Sequence, residues 1–232
     1  MTSGETLSRP SGSGPAADVT GIVLVAHGGR SVSTAPTSAV QPAVLRMVPV
    51  ARAIKKALRG SEAVVLRPRF EVQGWNGDQA SPAADLHRML DGLAGAFGPV
   101  PVVLVGHSMG ARAAFRAAGH PAVTAVAGLA PWLPPEEPVD QLTGRRVLLA
   151  HGNADHVTSP QETWAYAERA RQLTSVAAIE IRDGEHTMLR RAGLWNDIAA
   201  EFCRLALQLP ADPTVVSVAV AGGSGDRQRA VL

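Results

Sequence analysis

Three short segments of this 232-residue chain carry a serine, an aspartate and a histidine that together could perform nucleophilic catalysis. Ser108 lies between two glycines in the pentapeptide GHSMG, Asp155 ends the segment HGNAD, and His186 ends the segment DGEH. A serine hydroxyl is a weak nucleophile until a base accepts its proton, and a third group must hold that base in the correct tautomer. The three residue types therefore suit a nucleophile, a base and a carboxylate that orients the base.

The residues on either side of Ser108 suit a sharp turn between a strand and a helix. An apolar run precedes the serine and an Ala-rich segment follows it, while Gly106 and Gly110 leave room for the strained backbone of such a turn. A helix that begins after the turn would direct its first amide groups at the serine. We therefore expect the N–H of Met109 to bind a developing oxyanion.

A second oxyanion donor is expected from the loop HGGR at 27–30, which follows the first apolar run of the chain. Gly28 and Gly29 allow another part of the backbone to approach closely. Either the amide of Gly29 or that of Arg30 would supply the hydrogen bond, and the sequence leaves these two alternatives open.

Five further residues are candidates for the substrate pocket, namely His27, Gly28, His107, Trp75 and Trp132. Most of them also have a simpler structural interpretation. His27 could order the oxyanion loop through hydrogen bonds, His107 could pack beside the nucleophile, and Trp75 could anchor its own loop. Trp132 lies where it could form one wall of an acyl pocket.

Short apolar segments alternate along the chain with longer segments rich in Ala, Leu and Arg. The apolar segments are nearly continuous, which is typical of strands buried on both faces of a parallel sheet. They predict strands at 21–26, 63–70, 100–106, 122–130, 146–152 and 175–183. We expect an α/β fold with an open, mostly parallel sheet flanked by helices on both faces. Ser108, Asp155 and His186 all fall at the carboxyl ends of strands, where such sheets bind ligands.

Helices are predicted at 43–59, 81–97, 159–173 and 192–207, and another begins at Met109. One face of the first helix is apolar and carries Val44, Met47, Val48, Ala51, Ile54 and Leu58. Pro49 either kinks this helix or shortens it to 50–59. Ser81 and Ser159 are each followed by proline, which predicts that they are N-caps.

The segments HGG, GHSMG, HGNAD and DGEH, taken together, resemble the alpha/beta-hydrolase family, in particular its compact dienelactone-hydrolase-like and serine-esterase members. The resemblance covers about residues 20–208. It implies a nucleophile at Ser108, an acid at Asp155, a base at His186 and acyl transfer through an acyl-enzyme, without a cofactor. The antiparallel strands that usually open this fold are missing before the first strand, and the segment 131–145, where a lid is often inserted, is short. We therefore expect a minimal, lidless version with a small, open pocket.

Composition argues against several other classes of protein. The formal net charge is +2 and the Lys and Arg residues are scattered, so no nucleic-acid partner is expected. No segment approaches the roughly 20 apolar residues of a membrane span and the N-terminus has no signal-like core, so we expect a cytoplasmic protein without a membrane partner.

Cys203 is the single cysteine, which excludes an intrachain disulfide. No histidine–carboxylate cluster has metal-ligand spacing, so no metal site is expected, and the oligomeric state is left open.

The chain divides into one domain and two tails. Residues 1–18 are rich in Ser, Gly and Pro and predict a disordered tail. Residues 19–209 form the hydrolase-like domain, and 210–232 are expected to be a flexible tail, in which the segment TVVSVAVA could form a strand.

The favoured hypothesis is a serine hydrolase that cleaves a small-molecule carboxylic ester, or a thioester or lactone, with Ser108, His186 and Asp155. Two alternatives stay open, because a fold and its motifs do not determine a substrate. The same triad could serve acyl transfer or cofactor-free perhydrolysis. Less favoured is a non-catalytic binding module on the same scaffold.

Overall fold

A seven-stranded sheet forms the centre of the molecule, seen here in a computed structural model that describes residues 19–210, 213–221 and 229–232. The strand order is β2-β1-β3-β4-β5-β6-β7. The strands are β1 (Gly21–Ala26), β2 (Ala63–Leu66), β3 (Val102–His107), β4 (Val123–Leu129), β5 (Arg146–Gly152), β6 (Val176–Ile181) and β7 (Ala230–Val231). Every pairing is parallel, which confirms the predicted fold class. The predicted tail at 1–18 lies outside the described residues.

Helices cover both faces of the sheet. In the described part of the chain they are α1 (Pro42–Ala57), α2 (Ser81–Phe97), α3 (Met109–Ala117), α4 (Pro160–Ala170), α5 (Ala192–Ala206) and α6 (Val215–Ala221). One apolar core lies between the sheet and α2, α3 and α4, and a second lies between the sheet and α1, α5 and α6. In β1, Ile22 and Leu24 belong to the first core whereas Val23 and Val25 belong to the second. Burial on both faces explains the continuous apolar runs in the sequence.

Two predicted details of the helices, and one of the two alternatives for Pro49, are wrong. The first helix runs through Pro49 from Pro42 to Ala57, so the proline does not shorten it, and Val50 rather than Val48 lies in its buried face. The helix predicted to be capped by Ser81 instead includes that serine as its first residue, after Ala80 in a left-handed conformation. Ser159 is the N-cap of α4 as predicted, because its side chain accepts a hydrogen bond from the N–H of Glu162.

In its described residues, the segment predicted as a C-terminal tail contains two regular elements. Residues of TVVSVAVA form the helix α6 rather than a strand, and this helix packs against the core beside α5. The short strand β7 extends the sheet by pairing with Ile179 and Glu180 of β6. The prediction of a flexible tail also covers residues outside those described.

The connection between β4 and β5 carries no inserted lid. Between β4 and β5 the only regular element is a single 3₁₀ turn, Asp140–Leu142, where a lid would otherwise be inserted.

None of the helices that the structure describes is long and apolar enough to cross a membrane. The described residues also contain no group of three or more His, Cys, Asp or Glu that could hold a metal ion.

Candidate active site

Three loops at the carboxyl ends of β3, β5 and β6 meet at one point. They carry Ser108, Asp155 and His186, respectively. Oγ of Ser108 lies 3.0 Å from Nε2 of His186, and Nδ1 of His186 lies 2.8 Å from Oδ2 of Asp155. The structure therefore joins the three residues in one hydrogen-bonded chain that runs from the serine hydroxyl to the aspartate carboxylate.

Ser108 occupies a strained turn that only its glycine neighbours permit. Its backbone has φ 53° and ψ −119°, a combination that costs on the order of 1–3 kcal/mol in a residue with a side chain. A Cβ added to Gly106 would lie 2.4 Å from the carbonyl oxygen of Gly110, and one added to Gly110 would lie 2.3 Å from that of His27. Gly106 therefore permits the close packing of β3 against the first turn of α3, and Gly110 permits the close contact between α3 and the end of β1.

Asp155 is buried, and both of its carboxylate oxygens are fully engaged. Oδ1 accepts hydrogen bonds from the amides of Val157 at 2.8 Å and Thr158 at 3.0 Å. Oδ2 accepts from His186, from Nε2 of His151 at 3.0 Å and from the hydroxyl of Thr158 at 3.0 Å. Burial by itself would raise the pKa of Asp155. The hydrogen bonds from His151, His186 and the two amides outweigh burial and hold that pKa well below its ordinary value, so the carboxylate stays ionised.

His151 and Thr158 were not among the predicted site residues, yet both contact the carboxylate. His151 is fully buried, and its Nδ1 accepts a hydrogen bond from the hydroxyl of Thr163 at 2.7 Å, which leaves Nε2–H to donate to Asp155. Thr158 follows Asp155 closely, in the short-range pattern by which an aspartate bonds nearby backbone amides. That spacing is the signal that could have identified Thr158 from sequence.

His107 holds the loop of His186 instead of facing a pocket. Its buried ring donates from Nε2 to the carbonyl oxygen of His186 at 2.9 Å, while Nδ1 has no partner among the described residues. Burial, together with the nearby His186 and Arg46, lowers the pKa of His107 to about 3. Arg46 of α1 also donates to the carbonyl of Thr187 in the same loop. The loop of the base is thus anchored from two sides.

The oxyanion loop is fixed by its contacts with the loop that follows β2. Arg30 donates its amide to the carbonyl of Gln73 at 2.8 Å, so this amide is not free to bind a substrate. The remaining candidate from the sequence is the amide of Gly29. A Cβ on Gly29 would lie 2.4 Å from both Gln73 O and Met109 Cε, so Gly29 and Met109 are neighbours. Met109 begins α3, and its N–H therefore has no acceptor within the helix.

His27 and Gly28 lie behind the site. His27 is buried and bridges two loops, because its Nδ1–H donates to the carbonyl of Gly28 at 2.7 Å and its Nε2 accepts from the amide of Phe70 at 3.2 Å. Burial lowers the pKa of His27, which keeps the ring neutral. A Cβ on Gly28 would lie 3.3 Å from the Cβ of Ser108. The structure thus gives both residues a positioning role and no exposed pocket surface for His27.

Trp75 and Trp132 are bonded to the backbone of Arg30 and of Ser108, respectively. Trp132 is partly exposed and donates its amide to the carbonyl of Ser108 at 3.3 Å. Trp75 is buried and donates its amide to the carbonyl of Arg30 at 2.9 Å. The two rings meet edge to face with centroids 6.2 Å apart, and the guanidinium of Arg112 lies against both. Arg112 was not predicted as a site residue.

Comparisons with known proteins agree with this architecture. A model of the Alpha/beta hydrolase family matches residues 19–229. A serine hydrolase without a lid from Xanthomonas campestris is 23% identical with a TM-score of 0.55, and the match covers 85% of this chain and 86% of that one. An alpha-beta serine hydrolase homologue from Coxiella burnetii is 19% identical with a TM-score of 0.58, covering 83% and 88%. An esterase from Pyrococcus furiosus is 16% identical with a TM-score of 0.61, covering 81% of each chain. A search of curated proteins returns no match.

Proposed function

This chain belongs to the alpha/beta hydrolase family, and we propose that it is a serine hydrolase that cleaves small carboxylic esters, with thioesters or lactones as chemically related substrates. One observation carries the proposal. The hydroxyl of Ser108, the imidazole of His186 and the carboxylate of Asp155 form a continuous hydrogen-bonded chain with separations of 3.0 and 2.8 Å. Three such groups in this order can activate a serine at neutral pH.

In the first half-reaction, Oγ of Ser108 attacks the carbonyl carbon of the ester while its proton passes to Nε2 of His186. Asp155 remains ionised and stabilises the imidazolium through the hydrogen bond at Nδ1. The amides of Met109 and Gly29 would hold the negative charge that develops on the carbonyl oxygen. The C–O bond to the alcohol then breaks, and the alcohol takes the proton from His186.

In the second half-reaction, water replaces the alcohol. His186 removes a proton from the water as it attacks the acyl group on Ser108, and the same proton returns to Oγ when the carboxylic acid leaves. His107 supports both steps indirectly, because its hydrogen bond to the carbonyl of His186 holds the base in place.

A small substrate follows from the surroundings of the site. The segment between β4 and β5 is short, so no helical lid covers Ser108 in the part of the chain that the structure describes. Trp132 is partly exposed there and offers an apolar wall next to the nucleophile. This arrangement suits a small ester better than the long acyl chains that a closing lid encloses.

The direct test is hydrolysis of short p-nitrophenyl esters by the wild type and by Ser108→Ala. We expect the variant to lose at least about 10⁴-fold in kcat, because removal of the nucleophile leaves only binding and oxyanion stabilisation. Ser61→Ala is the matched control, since Ser61 lies in the turn before β2 at the opposite edge of the sheet. Equal turnover by the wild type and Ser108→Ala would contradict the assignment.

Two further measurements separate the alternatives. A fluorophosphonate probe should label the wild type and Ser61→Ala but not Ser108→Ala, and a wild type that resists labelling would favour a non-catalytic binding module. Product analysis in the presence of a competing alcohol distinguishes hydrolysis from acyl transfer. We expect the free acid as the main product.

A further inference from the structure

Arg112 is a buried arginine one helical turn after Ser108. Only 7% of the residue is exposed, which is unusual for a charged side chain. Side chains on a helix lean towards its N-terminus, and residues four apart lie on the same face. The side chain of Arg112 therefore extends back along α3 towards the turn that carries the nucleophile.

Two tryptophans fix the guanidinium of Arg112 beside the site. Its central carbon lies 4.1 Å from the ring centroid of Trp75 and 4.5 Å from that of Trp132. Both tryptophans are attached to the loops that frame the nucleophile, because Trp132 donates its amide to Ser108 and Trp75 donates its amide to Arg30. Stacking between aromatic faces leaves the planar edge of a guanidinium available for hydrogen bonds.

The hydrogen-bonding capacity of Arg112 is only partly used. Its Nε donates to Oε2 of Glu137 at 2.6 Å, and no acceptor among the described residues contacts its two terminal nitrogens. Glu137 is fully buried and also pairs with Nε of Arg116, so one carboxylate serves two guanidinium groups. Arg116 is partly exposed and can be solvated, whereas Arg112 is nine-tenths buried. The terminal nitrogens of Arg112 are not among the buried polar atoms that lack a partner, so solvent reaches them, and an anionic ligand that reaches the same edge can pair with them.

We propose that the terminal nitrogens of Arg112 bind a carboxylate in the acyl part of the substrate, so that the preferred substrates are monoesters of short dicarboxylic acids. The inference rests on the proposed esterase function and names its substrate class. The terminal edge of a guanidinium matches the two oxygens of a carboxylate. Because Arg112 lies one helical turn after Ser108 and its side chain leans back towards that turn, a short acyl chain of about two or three methylene groups between the ester carbonyl and the carboxylate suits this arrangement.

The test compares two esters of equal size and different charge. Monoethyl glutarate carries the carboxylate, and ethyl 4-carbamoylbutanoate replaces it with a neutral amide. We expect the wild type to favour the anionic ester by about 10-fold or more in kcat/KM, since charge-assisted hydrogen bonds are the strong ones. The ratio of the two kcat/KM values is measured on one preparation, so the fraction of folded protein cancels.

Arg112→Met keeps an unbranched side chain between the tryptophans and should bring this ratio close to one. Arg112→Lys keeps the charge without the planar fork and should lower the ratio by several-fold. Arg116→Met is the matched control, because Arg116 shares Glu137 but lies 5.9 Å from the ring of Trp75 and is more exposed. It should keep the ratio of the wild type. A wild-type ratio of one or less, or equal losses in Arg112→Met and Arg116→Met, would overturn the inference.

Binding without turnover separates this inference from the proposed function. Calorimetry with glutarate on Ser108→Ala should detect binding that disappears in Ser108→Ala/Arg112→Met, and glutaramide should bind weakly to both. Glutarate binding that depends on Arg112, without ester turnover by the wild type, would refute the esterase proposal alone. Turnover of both esters at equal rates, without glutarate binding, would refute the role of Arg112 alone. If Arg112→Met does not fold, the wild-type ratio and Arg112→Lys decide.

Discussion

The two sides of Ser108 use their polar groups in opposite ways. The proton-transfer side consists of His151, Asp155, Thr158 and His186, with His107 bonded to the loop of His186 outside this network, and the aromatic side consists of Trp75, Arg112, Trp132 and Glu137. On the proton-transfer side, both oxygens of Asp155 and both nitrogens of His186 have partners in the protein. On the aromatic side, Arg112 has terminal donors without a protein acceptor among the described residues.

Under the proposed function, this difference would separate what the protein does for any ester from what it does for a particular one. A closed hydrogen-bond network fixes geometry and leaves little capacity for further contacts, which suits a reaction step that is the same for all esters. Donors that are held in place and lack a protein partner favour a ligand that can pair with them. The proton-transfer side would therefore set the reaction, and the aromatic side would set the choice of substrate.

The largest expected effect comes from breaking the proton-transfer side at Asp155. Asp155→Asn removes the charge that stabilises the imidazolium and favours the wrong tautomer of His186, so we expect kcat to fall by about 10³- to 10⁴-fold. Asp183→Asn is the matched control, because Asp183 is exposed on the loop of the base and adopts a left-handed conformation that asparagine accepts. Ester hydrolysis measures both. A similar loss in the two variants would show that Asp155 has no special role.

On the aromatic side, the largest expected effect concerns stability. Glu137→Gln removes the only carboxylate that Arg112 contacts in the described residues and leaves a buried cation without a counter-charge. We expect the free energy of unfolding to fall by about 3 kcal/mol, as for other broken buried ion pairs. Glu136→Gln changes the exposed neighbour and should alter stability by less than about 0.5 kcal/mol. Urea unfolding measures both, and equal stabilities would mean that the pair contributes nothing.

The position of the proton-transfer side was largely predictable from sequence, because the local sequence determines where each strand ends. The strands β1 and β5 have the predicted bounds, because each apolar run ends at polar or glycine residues. Once the strands are parallel, their carboxyl ends lie at one edge, so loops that are far apart in sequence converge there. The structure accordingly brings Ser108, Asp155 and His186 together, although their catalytic roles stay predictions.

The contacts of the aromatic side could not be predicted in the same way. They join residues that are distant in sequence, and they bury charged side chains of types that are ordinarily exposed. Glu137 lies in the Pro-rich segment after β4, where a glutamate is ordinarily solvated, and only the fold reveals that it is buried against Arg112. The strand β7 was missed for a related reason. It has two residues and is stabilised by pairing with β6. Pairing with a strand that is distant in sequence leaves no pattern in the two residues themselves.

A smaller effect is expected from His151, which acts through Asp155 and is therefore a positioning residue. His151→Leu removes one donor to the carboxylate and the acceptor that the hydroxyl of Thr163 contacts at 2.7 Å, so we expect kcat to fall about 10-fold, with little change in KM. His151→Gln can still donate a hydrogen bond and should recover most of the loss. If both variants behave alike, or if only KM changes, the contact between His151 and Asp155 does not matter for the reaction.

The smallest expected effect is a dependence of stability on pH that arises from His107. Burial lowers its pKa in the folded protein to about 3, whereas a histidine in an unfolded chain titrates near 6.5. Between these values the unfolded state binds more protons, so the free energy of unfolding decreases as the pH falls from 6.5 towards 3. The buried His27 acts in the same direction, because burial lowers its pKa as well.

His107→Gln should reduce this slope without removing it, because His27 remains and glutamine can still donate a hydrogen bond to the carbonyl of His186. We expect the slope between pH 4 and 6 to become shallower by about 1 kcal/mol per pH unit, close to the effect of one proton. His87→Gln, on the exposed surface of α2, is the matched control and should keep the slope of the wild type. Urea unfolding at several pH values measures all three proteins. Equal slopes in the wild type and His107→Gln would mean that His107 accepts a proton in the folded protein over the same pH range as in the unfolded chain. Acid would then protonate His107, which supports the loop of His186. The complete pairing of polar groups, which distinguishes the proton-transfer side from the aromatic side, would not protect this support.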